Sequence, residues 1–139
     1  MPKKPKLLWC GDIAAKTGFA RVTENVLPYL AKQFNIVVLA HNWWGDPTPW
    51  QKKYKMYPSS NRFQTAPFGE ERIREMVTAE APDIVFTIND MWIANEQYRR
   101  IQDLHKEKKF KFVGYSPMDS YNWTGCLSDT ANDWDAIVS

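Results

Sequence analysis

Leu7-Leu8-Trp9-Cys10-Gly11-Asp12-Ile13-Ala14-Ala15-Lys16-Thr17-Gly18-Phe19-Ala20-Arg21-Val22 is the stretch that decides the fold. It runs from an unbroken apolar tetrapeptide, through a loop bounded by glycines, into a segment of helical period. An unbroken apolar run of strand length suits a strand covered on both faces. The helical segment covers 17–32, with Phe19, Val22, Val26 and Leu30 on one stripe. Pro28 lies inside it and predicts a kink there. Strand, loop and helix in this order open a parallel βαβ unit.

Outward from this opening the rhythm repeats. Ile36-Val37-Val38-Leu39-Ala40 is a second strand, β-branched and continuous. A long irregular stretch over 41–67 follows, with a short strand near Tyr54-Lys55-Met56-Tyr57. A helix is predicted over 70–81, with Glu70 and Glu71 in its first turn and Ile73, Met76 and Val77 as its buried stripe. Pro82 ends it, and the next strand runs over 83–88. A helix over 93–108 points Ile101 and Leu104 inward, and Phe112-Val113-Gly114-Tyr115 is another strand. A short helix over 124–132, capped by Thr124, precedes a last strand at Ala136-Ile137-Val138. The pattern predicts an α/β protein: a Rossmann-like, doubly wound, mainly parallel sheet with right-handed crossovers. No repeat, low-complexity tract or internal linker divides residues 1–139, so they read as a single domain. The chain stops at Ser139, directly after an apolar strand, and the expectation is half of a larger protein.

Composition permits such a core. The 139 residues match one domain of about 100–200 residues, and 44% of them are hydrophobic. Lys and Arg number 18 against 16 Asp and Glu, a net charge of +2 that makes no case for nucleic acid as an obligatory partner. The basic runs Lys3-Lys4-Pro5-Lys6 and 106–111 read as solvated faces or frayed ends. Cys10 and Cys126 form no CxxC pair and have no His cluster beside them, so zinc ligation is not expected. Cys10 falls in an apolar run and reads as a buried thiol, and two unpaired cysteines fit a reducing cytoplasm. No apolar stretch reaches the about 18 residues of a membrane span, and Met1-Pro2-Lys3-Lys4 lacks a signal-peptide core. Seven Trp is a high count, and Trp43, Trp44 and Trp50 share one Pro-containing segment. They read as caps on the core, as stacking platforms for a sugar or base, or as contacts to a partner domain.

In open α/β sheets ligands bind beyond the carboxyl ends of the strands. The loop Gly11 to Gly18 lets the backbone approach a ligand and leads to a helix N-terminus with free N–H groups. It is not a Walker A loop, since Ala15 stands where Gly must precede Lys-Thr and the spacing is one residue short. It is not a dinucleotide fingerprint either: G-x-G-x-x-G is absent, and His41-Asn42 stand where an acid would hold the ribose. ATP and nicotinamide forms of the fold therefore fit poorly. His41 is a structural hydrogen-bonded residue or a catalyst. Asp90, in Asn89-Asp90-Met91-Trp92, caps the next helix or holds a sugar hydroxyl. Ser116-Pro117-Met118-Asp119-Ser120 would send a second carboxylate into the same crevice, a polar cluster suited to polyhydroxylated substrates.

Several segments carry a resemblance. Thr17-Gly18-Phe19-Ala20-Arg21-Val22 resembles the S/T-G-[FY]-[AG]-R opening of certain family 4 glycosyltransferases. Asn42-Trp43-Trp44-Gly45-Asp46-Pro47 resembles the N-x-x-G-D-P segment of the same group. Phe68-Gly69-Glu70-Glu71-Arg72, Pro82-Asp83-Ile84-Val85-Phe86 with Asn89-Asp90, and Tyr115-Ser116-Pro117-Met118-Asp119 resemble its later landmarks, in order and over nearly the whole chain. The resemblance implies a GT-B fold, two Rossmann-like domains facing across a cleft. This chain would be the N-terminal, acceptor-side half, and a C-terminal domain or second chain would hold most of a nucleotide-sugar donor. Transfer would usually retain the anomeric configuration and need no metal or other cofactor. Gly18 would lie near the donor phosphates and Asp119, as catalytic residue, near the transferring sugar. Thr17, Gly18, Arg21, His41, Asn42, Asn89, Asp90 and Tyr115 would bind substrate. The family's donor-binding motifs do not occur here, so the chain is expected to be inactive alone. The acceptor stays open among glycan, lipid, protein and modified DNA. The rival reading is a non-catalytic Rossmann-like binding or interaction module.

Overall fold

The structure, a computed structural model, describes residues 2–60, 67–117 and 130–138. Six strands, β1 (Lys6–Gly11), β2 (Asn35–Ala40), β3 (Lys55–Pro58), β4 (Ile84–Ile88), β5 (Lys111–Tyr115) and β6 (Ala136–Val138), form one sheet. All neighbours pair in parallel, in the order β3-β2-β1-β4-β5-β6. The helices are α1 (Gly18–Leu30), α2 (Ile73–Glu80), α3 (Met91–Arg99) and α4 (Gln102–Lys106). The fold is α/β, Rossmann-like and doubly wound. Its strand order reverses between β1 and β4, the place where such sheets open a crevice for ligands.

The strands read as unbroken apolar runs because both faces are used. On β1, Leu7 and Trp9 pack with α1, while Leu8 and Cys10 pack with α2 and α3. Ile36, Val38 and Ala40 of β2 join the α1 side, and Val37 and Leu39 the other. Trp9 stacks on Phe86 of the neighbouring strand, centroids 4.4 Å apart and planes 9° from parallel. On the far side Trp134 lies so close to Gly114 that a Cβ there would overlap its ring. Cys10 is fully buried with a free thiol, and burial pushes its ionisation up. Cys126 lies outside the described residues. Among the described residues no helix is long and apolar enough to cross a membrane.

Several elements depart from the periodicity reading, each for a physical reason. The fully buried residues of α1 are Ala20, Thr23 and Leu27; of the expected stripe, Phe19, Val22 and Leu30 are half-buried and pack on the same core, while Val26 is 36% exposed. Thr23 goes inward because its hydroxyl accepts from Trp9 Nε1 at 3.2 Å and donates to the Phe19 carbonyl at 2.9 Å. The polar residue is thus satisfied in the core. Pro28 sits in the last turn of α1, which ends two residues later. The second helix starts at Ile73, not residue 70. Gly69, at φ +69°, makes a turn whose carbonyl takes the N–H groups of Arg72 and Ile73, leaving Glu70 and Glu71 outside the helix. The helix expected over 93–108 is two helices. Ile101, fully buried at φ −129°, breaks it, and α4 then brings His105 to the Tyr98 hydroxyl (2.8 Å) and Asp135 (2.7 Å). Of the helix expected over 124–132, residues 124–129 lie outside the described residues and Ala131–Asp133 form a 3-10 turn.

Candidate functional site

Each of the first five strands runs directly into a buried polar residue: Asp12, His41, Ser59, Asn89 and Ser116. Backbone bonds continue the sheet past its edge and hold them, His41 N–H to the Gly11 carbonyl (3.0 Å) and Asn89 N–H to that of Tyr115 (3.2 Å). Gly11 is required by this packing rather than by a ligand, because a Cβ there would press into Ile88 and the Trp9 indole.

Asp12 is the hub of the first loop. The Thr17 hydroxyl donates to its Oδ2 at 2.6 Å, and the Asn42 amide donates to its Oδ1 at 2.9 Å. Thr17 also caps α1, accepting from the Ala20 N–H at 3.1 Å. Asn42 reaches Asp12 from a left-handed backbone, φ 53°, which Asn tolerates better than most residues.

His41 is fully buried, its ring nitrogens 3.0 Å from the Asn89 and Gln97 side-chain amides. The Gln97 amide N–H donates to the Phe68 carbonyl at 2.8 Å, while its oxygen accepts from the Thr87 hydroxyl at 2.5 Å. That fixes which end of Gln97 faces the ring, so His41 Nε2 accepts from the Gln97 amide. Burial pushes the imidazole down to about 4; the nearby Asp12 charge and the Asn89 bond pull the other way and lose. The ring is neutral and structural, not a solvent-facing acid or base.

Above this floor lies a cleft of about 510 Å³. Thr17, Gly18, Phe19 and Val22 line it from α1, and Asn89, Asp90, Trp92 and Ile93 from the β4–α3 junction. Asp12, Phe68, Tyr115 and Pro117 complete it. A Cβ at Gly18 would meet nothing within 4 Å, so the backbone is open to approach there. Asp90 holds the N-cap position of α3 but its carboxylate makes no capping bond and is exposed. Phe68 and Trp92 meet edge to face, centroids 5.7 Å apart.

The structure thus brings Thr17, Gly18, Asn89, Asp90 and Tyr115 to one cleft. Asn42 supports Asp12 and His41 lies beneath; neither lines the cleft. Arg21 instead lines an adjoining depression, with Lys16, Glu24 and Trp50, that shares Thr17 and Gly18 with the cleft. Asp119 lies outside the described residues. Of the clustered Trp, Trp43 is buried and donates to the Asp46 carbonyl at 2.8 Å, Trp44 donates to Ser60 at 3.1 Å, and none lines the cleft. Trp43 and Trp50 pack on the α1-side core. Sequence reading missed Asp12, Phe19, Phe68 and Trp92. Asp12 carried the signal of a first residue past a strand; Phe68 opened a family-like segment but followed no strand. Among the described residues no group of His, Cys, Asp and Glu could hold a metal ion. No model of a known protein family matches the chain, and no curated protein matches it.

Proposed function

We propose that the chain is the acceptor-side domain of a GT-B glycosyltransferase resembling family 4, which moves a sugar from a nucleotide sugar to an acceptor. The observation that supports this most is convergence. Thr17-Gly18, Asn89-Asp90 and Tyr115 come from three family-like segments far apart in sequence, and they line one cleft at the reversal of strand order. Gly18, where α1 begins, also borders the adjoining depression that Lys16 and Arg21 line, and donor phosphates would approach its open backbone from that side rather than through the cleft. Asp12 and Asp90 are carboxylates able to accept a hydrogen bond from an acceptor. In this reading a second domain or chain holds the nucleotide and meets the charge that develops on the leaving diphosphate. Asp119, two residues past Pro117, is the residue proposed near the transferring sugar.

The test is a protein carrying both halves, given a panel of nucleotide sugars and acceptors, with products read by mass spectrometry. Transfer is expected, with kcat/KM reduced at least tenfold in Asp119→Asn. Unchanged kinetics would remove Asp119 from the site, and no transfer or donor hydrolysis across the panel would sink the reading. The mostly apolar walls favour one alternative, a non-catalytic Rossmann-like binding module, whose signature in that assay is ligand uptake without turnover.

A further inference from the structure

We propose that the cleft selects an acceptor built on a flat aromatic ring that bears a hydroxyl group and no negative charge. This rests on the reading of the cleft as an acceptor site and names the substrate class it would take. The first observation is the wall. Phe68 and Trp92 stand at 88° to one another, and 54% of Trp92 remains in solvent, so an aromatic surface is open at the rim. That wall is held from behind: the Phe68 carbonyl is fixed by Gln97, and its ring meets the buried His41 edge-on, centroids 6.1 Å apart. A wall set before the ligand arrives costs little ordering on binding.

The second observation is charge. The described residues that line the cleft include the carboxylates Asp12 and Asp90 and no Lys, Arg or His. Lys16 and Arg21 line only the adjoining depression, so a phosphate inside the cleft would lie beside two negative charges with no cation in its lining, whereas a hydroxyl finds a carboxylate to donate to. The third is the scarcity of polar partners elsewhere. A polyhydroxylated sugar would strip water from hydroxyls that meet apolar walls, and each unpaired one is costly. A flat ring has a face to stack on an indole and few groups to satisfy. The volume, about 510 Å³, accommodates a two-ring compound and lies within the roughly 300–1,000 Å³ of small-ligand pockets.

The experiment is calorimetric titration of the whole chain with 2-naphthol, its phosphate ester 2-naphthyl phosphate, and methyl glucoside. Naphthol is expected to bind at least tenfold more tightly than either. Trp92→Ala should weaken it about tenfold, the size of a lost stacking partner, and Tyr29→Ala, exposed on α1, should not change it. Asp90→Asn should strengthen the phosphate ester about fourfold by removing one nearby charge. Equal or tighter binding of the phosphate ester or the glucoside, or naphthol binding untouched by Trp92→Ala, overturns the proposal. Failure of the transferase reading looks different. Naphthol would then bind as described, while the two-half protein transfers no sugar to it or to any other acceptor.

Discussion

At the end of the sheet where the strands begin, Glu80 is met by Lys6 Nζ at 3.0 Å, Lys55 Nζ at 2.6 Å and the Tyr57 hydroxyl at 2.5 Å. Asp135 there is met by His105, Lys111 and the Phe112 N–H. At the end where the strands finish, Asp12 receives its bonds from a neutral hydroxyl and a neutral amide. Ser59 and Ser116 bury hydroxyls with no hydrogen-bond partner among the described residues. Burial alone would raise Glu80, but the bonds from Lys55, Tyr57 and Lys6 outweigh it and hold the carboxyl down to about 2. The lower end matches charge with charge and ties β1, β3 and α2 together. The upper end meets Asp12 with neutral partners, and its cleft has a described lining with carboxylates and no cation. Charge matched by opposite charge marks scaffolding at the lower end, and carboxylates without a cation mark the candidate cleft at the upper end.

The contrast is sharpest in acid. His41 is held neutral, so the unfolded chain takes its proton first as pH falls below 6.5. Its contribution is complete above 6.5 and is lost as pH drops toward about 4. At about 1.4 kcal/mol per pH unit the loss is about 3 kcal/mol. Urea unfolding between pH 7 and 4, alongside an NMR titration of the His41 ring, measures it. A ring that titrates near 6.5 would erase this difference between the two ends.

Glu80 predicts the opposite window. Its carboxyl is depressed in the folded state, so its contribution is present above 4.5 and disappears as pH falls through about 2. Because Lys55 is more than half in solvent, we expect only about 2 kcal/mol, absent in Glu80→Gln. If the two proteins show the same acid profile below pH 4.5, the lower end is not held by charge.

Thr17→Ala removes both the α1 cap and one partner of Asp12, and should cost about 1 kcal/mol. Denaturant midpoints unchanged from the parent would mean that the Asp12 hub does not support the upper end. The smallest effect is expected of Trp92→Ala, within about 0.5 kcal/mol in stability, since the indole is mostly exposed. A larger loss in thermal melts would make Trp92 a core residue and the upper end less of a site.

Much of the fold was legible because a parallel sheet covered on both faces writes itself as unbroken apolar runs. Ile36-Val37-Val38-Leu39-Ala40 has no other economical use. Where helix periodicity fell short, a polar residue had found a partner inside. Thr23 is buried because Trp9 bonds it, and no pattern of apolar positions on α1 could signal that. The same holds at the site. Strand-end loops were legible by rule, which pointed to Thr17, Gly18, Asn89 and Asp90, while Tyr115 came from the family resemblance. Phe68 was not, because it belongs to a segment between β3 and α2 that meets the cleft only through folding.

The sequence by itself determined the alternation of strands and helices, the absence of phosphate-loop and dinucleotide motifs, and which loops follow strands. These are local properties, set by periodicity and by the residues that turns and helix starts demand. The tertiary structure alone decided that the strand order reverses between β1 and β4, so that the loop after β1 and the start of α3 share one cleft. It also decided that His41 sits beneath that cleft as a neutral strut, and that the cleft's described lining has carboxylates without cations. Burial and charge balance are sums over neighbours distant in the chain, and only the packed fold specifies those neighbours.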